Sequence, residues 1–284
     1  MTPNFPPFRA MHLAVALLLA STGMSATVAQ SCSLSAWSAT TTSAPGLLAA
    51  GHPAATEAVP RYSGACAAIA RAPGNFVSDD RPGMEPRYVA RFYMLASAGA
   101  HAGNPTVFRA HGASAPVLQV GIDGGRLRVQ GEGPEVATGP TLAAGRWYAV
   151  ELVWRAGLDA VVRVQGAGQP ASTPITLALG NAAARIDRVE LGWIAGTGTG
   201  SIVVDAFESQ RFATVGRLCR GDANGDQQRG PADVVAMRTE ILGTALAAAQ
   251  PDCNEDGRIN AADLVCVRNA HRNGQSSCAT SAEF

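Results

Sequence analysis

Two stretches near the C-terminus carry oxygen-bearing side chains at the spacing a hard cation requires. The first runs Asp222, Asn224, Asp226 and then Asp233; thirty residues on, Asp252, Asn254, Asp256 and Asp263 repeat it. In a twelve-residue loop, side chains at positions 1, 3 and 5 point at one centre. Position 7 adds a backbone carbonyl, here Gln228 or Arg258, and a carboxylate at position 12 closes the shell from the first turn of a helix. Several carboxylates among hard oxygen ligands select Ca²⁺ over softer metals. Gly257 holds the sixth position of the second loop, where a sharp turn needs positive φ, and Ile259 can pack against the partner loop. The first loop has Gln227 at the sixth position, costing about 1 kcal/mol in a left-handed conformation, and Arg229 where the apolar residue belongs. Two Ca²⁺ sites are therefore expected, the one over 222–233 weaker than the one over 252–263.

The surrounding elements must hold these loops. Each is followed by an amphipathic stretch, with Val234, Met237 and Ile241 in one and Leu264 and Val267 in the other, and Gly243 sits where a helix stops. The unit is loop–helix, repeated over 217–272. Residues 217–284 hold nine acids and seven arginines, and six of those acids occupy ligand positions. Without metal these carboxylates repel, so Ca²⁺ is expected to drive folding of a segment whose own core is thin.

The longer region, 30–212, follows a period of two. Arg87–Leu95 puts Tyr88, Ala90, Phe92 and Met94 on one face; Trp147–Trp154 aligns Tyr148, Val150, Leu152 and Trp154. The stretches 158–165, 185–193 and 201–207 behave alike, with turn signals such as Arg81-Pro82-Gly83 and Asp123-Gly124-Gly125 between strands. About ten such strands and no convincing helix predict a mainly β fold, an antiparallel two-sheet sandwich, followed by a linker at 213–216, the small helical region and a tail at 273–284.

The duplicated loop–helix with Asp rather than Glu at position 12 resembles the dockerin domain. That resemblance implies calcium in both loops and, in cellulosomal members, a cohesin partner contacted by the first helical turn. Positions 10 and 11, where a hydroxyl pair is common, hold Pro231-Ala232 and Ala261-Ala262. With no hydroxyl there, an intramolecular or unrelated protein partner fits as well as a cohesin. The β region resembles lectin-like, laminin-G-like jelly rolls through Trp37, Tyr62-Ser63-Gly64-Ala65-Cys66, Gly145-Arg146-Trp147-Tyr148 and Val204-Asp205-Ala206-Phe207.

Arg9, the apolar run 11–20 and the small residues up to Ala29 describe a secretory signal peptide over 1–29, with a run too short to span a membrane. Export makes three disulfides the natural use of Cys32, Cys66, Cys219, Cys253, Cys266 and Cys278. Their grouping suggests Cys32–Cys66 in the β region and leaves the pairing of the other four open. Lys+Arg and Asp+Glu both number 22, and pI is near 7.0, which argues against nucleic acid as a partner. Every basic residue is Arg, which removes Schiff-base and P-loop chemistry.

No closely alternating acids suggest a glycosidase pair. Asp187 and Glu190 differ in parity, as do Asp205 and Glu208, and no Gly-x-Ser-x-Gly elbow is present. A binding face is the better expectation, with Arg91, Tyr93, Trp147, Glu151, Arg188 and Glu190 as residues that would stack on sugar rings or bond hydroxyls. The chain thus reads as an exported (secreted, periplasmic or surface) calcium-binding protein for binding or assembly, with polysaccharide or a surface glycan as the ligand. Alternatives are a glycoside hydrolase or accessory protein of polysaccharide breakdown, and a structural or adhesion protein.

Overall fold

The computed structural model describes residues 37–40, 48–50, 60–113, 115–166, 169, 172–272 and 278. The expected signal peptide and Cys32 lie outside them. In chain order the strands are β1 (Ala39–Thr40), β2 (Leu48–Ala50), β3 (Ala67–Ala70), β4 (Asn75–Asp79), β5 (Arg87–Ala96), β6 (Thr106–His111), β7 (Pro116–Asp123), β8 (Arg126–Gly131), β9 (Val136–Thr141), β10 (Trp147–Arg155), β11 (Asp159–Gly166), β12 (Ile175–Ala178), β13 (Arg188–Ala195) and β14 (Ile202–Gln210). A one-turn helix, α1 (Ala98–Ala102), bridges β5 and β6; α2 (Pro231–Ile241) and α3 (Ala261–Arg272) follow the sandwich.

The strands form two antiparallel seven-stranded sheets. One runs β1-β4-β13-β6-β7-β8-β9 and the other β12-β11-β10-β5-β14-β3-β2. Non-sequential neighbours such as β13 beside β4 and β14 beside β5 make this a sandwich with crossing connections, the mainly β class the alternation predicts. The period-two reading also picks the core: Tyr88, Ala90, Phe92 and Met94 of β5 and Tyr148, Val150, Leu152 and Trp154 of β10 all face the first sheet. Phe92 stacks on Phe108 across the sandwich at 5.7 Å between centroids. The expectation of no helix before residue 212 missed α1, whose five residues are too few to show a helical period.

Alternation fails to describe the other face of the second sheet. Val89, Arg91, Tyr93 and Leu95 of β5 are buried too, as are Trp147, Ala149, Glu151 and Val153 of β10. A strand buried on both faces reads as a continuous buried run, and the segments at 216–218 and 255–257 lie against this face. Those elements belong to the same compact unit as the sandwich, so 213–216 is an anchored segment: the Gly216 N–H donates to Glu151 Oε2 at 2.7 Å, and Gly216 O accepts from Arg91.

Two disulfides join described residues, Cys219–Cys278 and Cys253–Cys266, with Cα atoms 5.5 and 5.8 Å apart. The first pins part of the expected tail back to the start of the helical region. Cys66 is also disulfide-bonded, and its expected partner, Cys32, lies outside the described residues.

Truncating Phe92 to Ala opens a cavity at the centre of the sandwich and should cost about 3–5 kcal/mol. Chemical denaturation of the oxidised protein measures this, and a loss below about 1 kcal/mol would show that the two sheets do not share this core.

Candidate functional site

The two acidic loops fold alike. In the first, Asp222 accepts from the Gly225 and Gln227 amides at 2.7 and 2.8 Å, and Asp233 accepts from Ala223, Asn224 and Gly230. In the second, Asp252 accepts from Asp256 and Gly257, and Asp263 from Asn254 and Asn260. Asn224 lies against Asp226 as Asn254 lies against Asp256. In the first loop, carboxylate oxygens of Asp222, Asp226 and Asp233 lie within 4.8 Å of one another. Sulfur is no competitor there, because the nearby Cys219 and Cys278 are bonded to each other.

The electrostatics fit a cation. Burial pushes the Asp252 carboxyl up to about 8, helped by the negative neighbours Asp263 and Asp256. Burial likewise raises Asp222, with Asp233 and Asp226 adding to it, and Asp263, with Asp256 adding to it. A divalent ion at either centre removes the repulsion and supplies the missing partner. The residues present therefore fit calcium.

The loops differ where sequence spacing is silent. Gln227 does take positive φ (62°) at position 6, but Glu255 does the same (58°) at position 4 of the second loop, where the first has Gly225. Each loop thus carries one non-glycine left-handed residue, and backbone strain does not separate them. Arg229, at the eighth position, is buried and donates from Nε to Arg220 O at 2.7 Å. The helices follow the expected pattern with one departure: Met237 and Val267 are buried and Val234 and Leu264 pack beside them, whereas Ile241 is partly exposed and Glu240 is buried in its place. Glu240 meets Arg61 of the sandwich at 2.5 Å and accepts from the Ala247 amide at 2.6 Å.

The second loop also makes the contact with the sandwich. Glu255 Oε1 accepts from the Tyr62 hydroxyl at 2.8 Å and pairs with Arg217, while its backbone carbonyl accepts from the Trp147 amide at 3.1 Å. Beneath it Tyr62 stacks on Tyr93 at 3.6 Å and meets Trp147 edge-on at 5.6 Å. A side chain at position 257 would lie 2.7 Å from Leu95, so the glycine of the sharp turn also admits the sandwich. Burial pushes the Glu255 carboxyl up, and Arg217 is the largest opposing influence.

These contacts divide the six residues expected on one sugar-binding face. Arg91, Tyr93, Trp147 and Glu151 lie buried on the second sheet beneath the segments that carry Gly216, Leu218 and Glu255. Tyr93 accepts from the Leu218 amide at 2.8 Å, and Arg91 donates to Ala206 O and pairs with Glu208. Arg188 and Glu190 lie on the outer face of the first sheet. There Glu190 is buried among Arg109 at 3.5 Å, the His111 imidazole at 3.0 Å and Arg188 at 3.3 Å. No local sequence pattern points to His111; the pairing of β6 with β13 gives it its place. A cavity of about 460 Å³ opens at the edge between the sheets, lined by Trp37, Asp79, Arg81, Asp205, Phe207 and Glu208. Its carboxylates are engaged: Asp205 accepts from three backbone amides, Asp79 pairs with Arg81 and Glu208 with Arg91.

No family model matches the chain, and no curated protein matches it. Solved structures similar to it include an alginate lyase from Klebsiella pneumoniae, with 7% identity over 59% of this chain and 95% of that one and a TM-score of 0.41. The cellulose-induced protein Cip1 shares 15% identity over 62% of this chain and 90% of its own, with a TM-score of 0.43. A Trypanosoma rangeli sialidase shares 13% identity over 59% of this chain and 31% of that one, with a TM-score of 0.40. At these scores the likeness carries no argument about activity.

Glu255→Ala leaves Arg217 buried without its carboxylate, which should cost about 3–5 kcal/mol. The same change should raise quenching of tryptophan fluorescence by iodide as Trp147 becomes accessible. Unchanged stability and quenching would mean that loop two does not hold the module on the sandwich.

Proposed function

We propose that the protein is exported and binds calcium in both loops, which resemble those of a dockerin, and that the ion holds the helical module against the sandwich. The observation that supports this most directly is the pairwise match of the two loop networks. In both loops the amide at position 6 donates to the first Asp and the amides at positions 3 and 9 donate to the last, and three carboxylate oxygens of the first loop converge within 4.8 Å. Calcium would be held in the first loop by Asp222, Asn224, Asp226, the Gln228 carbonyl and Asp233. In the second it would be held by Asp252, Asn254, Asp256, the Arg258 carbonyl and Asp263. The ion supplies positive charge where carboxylates are buried. The chain's own residues do the rest: Glu255 and Gly257 carry the order of the second loop to Tyr62, Trp147 and Leu95.

Oxidised disulfides accord with export, and among the described residues no helix is long and apolar enough to cross a membrane. In this reading the module's protein partner is the sandwich of its own chain. It occupies the second sheet and leaves the outer face of the first for a polysaccharide. A second reading, an enzyme acting on polysaccharide, is favoured by the contact of Glu190 Oε2 with His111 Nε2. They lie 3.0 Å apart without hydrogen-bond alignment, so a buried carboxylate and an imidazole both retain unused polar atoms.

Calorimetric titration of the full oxidised chain should show two Ca²⁺ sites. Asp252→Ala should remove the tighter and Asp222→Ala the weaker, and chelation should lower the melting temperature and expose Trp147 to iodide. Absence of binding heat and of any chelator effect would sink the calcium reading. Soluble sugar products, lost with Glu190→Gln, would select the enzyme over the binding protein.

A further inference from the structure

Among the described residues, the outer face of the first sheet carries one unbroken polar row. Backbone register sets Ser78 opposite Glu190, Glu190 opposite Arg109, Arg109 opposite Gln119, and Gln119 opposite Gln130. Five strands at about 4.8 Å spacing make this row roughly 19 Å long. Its members are tied sideways: Arg109 Nη1 lies 3.5 Å from Glu190 Oε2, and Arg109 Nε donates to Gln119 Oε1 at 3.1 Å. One step along the strands, Arg188 pairs with His111 in register, and both reach Glu190. On the opposite side of the row Arg128 donates to Gln130 Oε1 at 2.6 Å. Every one of these side chains alternates with a core residue, such as Val189, Ala110, Val120 or Val129, so all face outward.

The charge of this face departs from that of the chain. Arg109, Arg126, Arg128 and Arg188 stand against the carboxylates of Glu190 and Asp123, while the whole protein is formally neutral. Glu190 is 5% exposed. It is a positioning residue: buried beside Arg109, His111 and Arg188, it fixes where their polar atoms lie. A guanidinium has five N–H donors, so Arg109 keeps donors beyond its two contacts. His111 Nε2 and Glu190 Oε2 are buried without an aligned partner, which leaves hydrogen-bonding capacity unused in the middle of the row.

From this geometry we infer that the row formed by Glu190, Arg109, Gln119 and Gln130, with Arg188 and Arg128 beside it, binds an extended carboxylate-bearing polysaccharide, a polyuronate. The inference rests on the polysaccharide reading above and names its face and its chemical class. Arginine forks match carboxylates in two-pronged pairs, and the Gln amides offer both a donor and an acceptor to hydroxyls. A row across five strands suits a chain of sugars better than a single one. The net positive charge makes an acidic chain the complementary occupant.

The test is calorimetry of the full oxidised chain with oligogalacturonate, cello-oligosaccharide and dextran sulfate oligomers. Calcium is kept stoichiometric with the protein so that the uronate is not cross-linked. Oligogalacturonate should bind, more weakly as salt rises, and Arg109→Gln and Arg188→Gln should each weaken it about tenfold, the effect of losing one charge-assisted bond. The melting temperature in calcium checks that each variant is folded; should Arg109→Gln fail to fold, the exposed Arg188 decides alone. Oligogalacturonate binding that both folded variants retain overturns the proposed face. Binding of cello-oligosaccharide alone overturns the ligand class and keeps the polysaccharide reading, and binding of dextran sulfate alone overturns the choice of carboxylate. Binding of no glycan overturns both. Self-association lost with Arg188→Gln would assign the face to a second copy of the chain and also overturn the proposal.

Discussion

The burial of Glu255 against Tyr62 and Arg217 organises more of this molecule than any other polar contact. The residue stands between Asn254 and Asp256 of the second acidic loop and ends in an aromatic cluster on the second sheet. Its carboxylate is almost wholly shielded from water, a state tolerable only with a cation and further donors at hand. Arg217 and the Tyr62 hydroxyl supply them, and both are held by what surrounds them. Tyr62 is clamped by its stack on Tyr93, and the main chain of Tyr62 and Ser63 is tied to Asp205. The loop is ordered by the sandwich as much as by its own ligands. Any ion bound between Asp252 and Asp263 acts on that shared boundary.

From this contact follows the composition of the second sheet. A sandwich sheet with one face in water alternates apolar and polar side chains. Strand β5 instead carries Val89, Tyr93 and Leu95 on its outward side, and β10 carries Trp147, Ala149 and Val153. Arg91 and Glu151 interrupt this apolar surface, and each is matched to the segment that crosses it: Arg91 to the carbonyls of Ala206 and Gly216, Glu151 to the Gly216 amide. Polar groups in such a boundary fix register, because any slide leaves them buried and unbonded. The module has little else to stabilise it. Its own buried apolar set is Ala223, Met237, Ala247, Cys253 and Val267. Disulfides separated by 59 and 13 residues contribute about 4 and about 3 kcal/mol by loop closure, comparable to the contribution of a core that small.

Much of this is legible in the sequence, and the omissions have a common cause. Inward positions of β5 and β10, the sandwich class and the two loops with their helices all come from local periodicities of 2, 3.6 and 12. What local pattern cannot hold is which surfaces meet. Trp147 looks out of phase with its strand because its phase is set by a module more than a hundred residues away. Arg91 and Glu151 look like ligand-binding residues because a polar group under a docked segment and one under a sugar have the same sequence signature. Glu240 reads as the polar side of α2, yet it is buried against Arg61, and nothing nearby in the chain announces that partner. Arg188 and Glu190, by contrast, lie on an outward face, and their true neighbours Arg109 and His111 were obscured only by strand order.

The fourth position of the two loops shows how a duplicated element becomes specialised. In the first loop it is Gly225 at φ 83°, a conformation glycine adopts without strain. In the second it is Glu255 at φ 58°, which costs about 1 kcal/mol for a residue with a Cβ. The loop turn itself does not require that acid, since the first loop takes the same left-handed backbone at this position with glycine. Only the docked carboxylate gives a reason to retain it. The position has an analogue at six, where the first loop holds Gln227 and the second Gly257, beside Leu95 and with no room for a side chain. The two loops thus place their single non-glycine left-handed residue at different positions. In the second loop the sandwich bears on both choices: a long acid that reaches in to Tyr62, and a glycine at positive φ beside the Leu95 side chain.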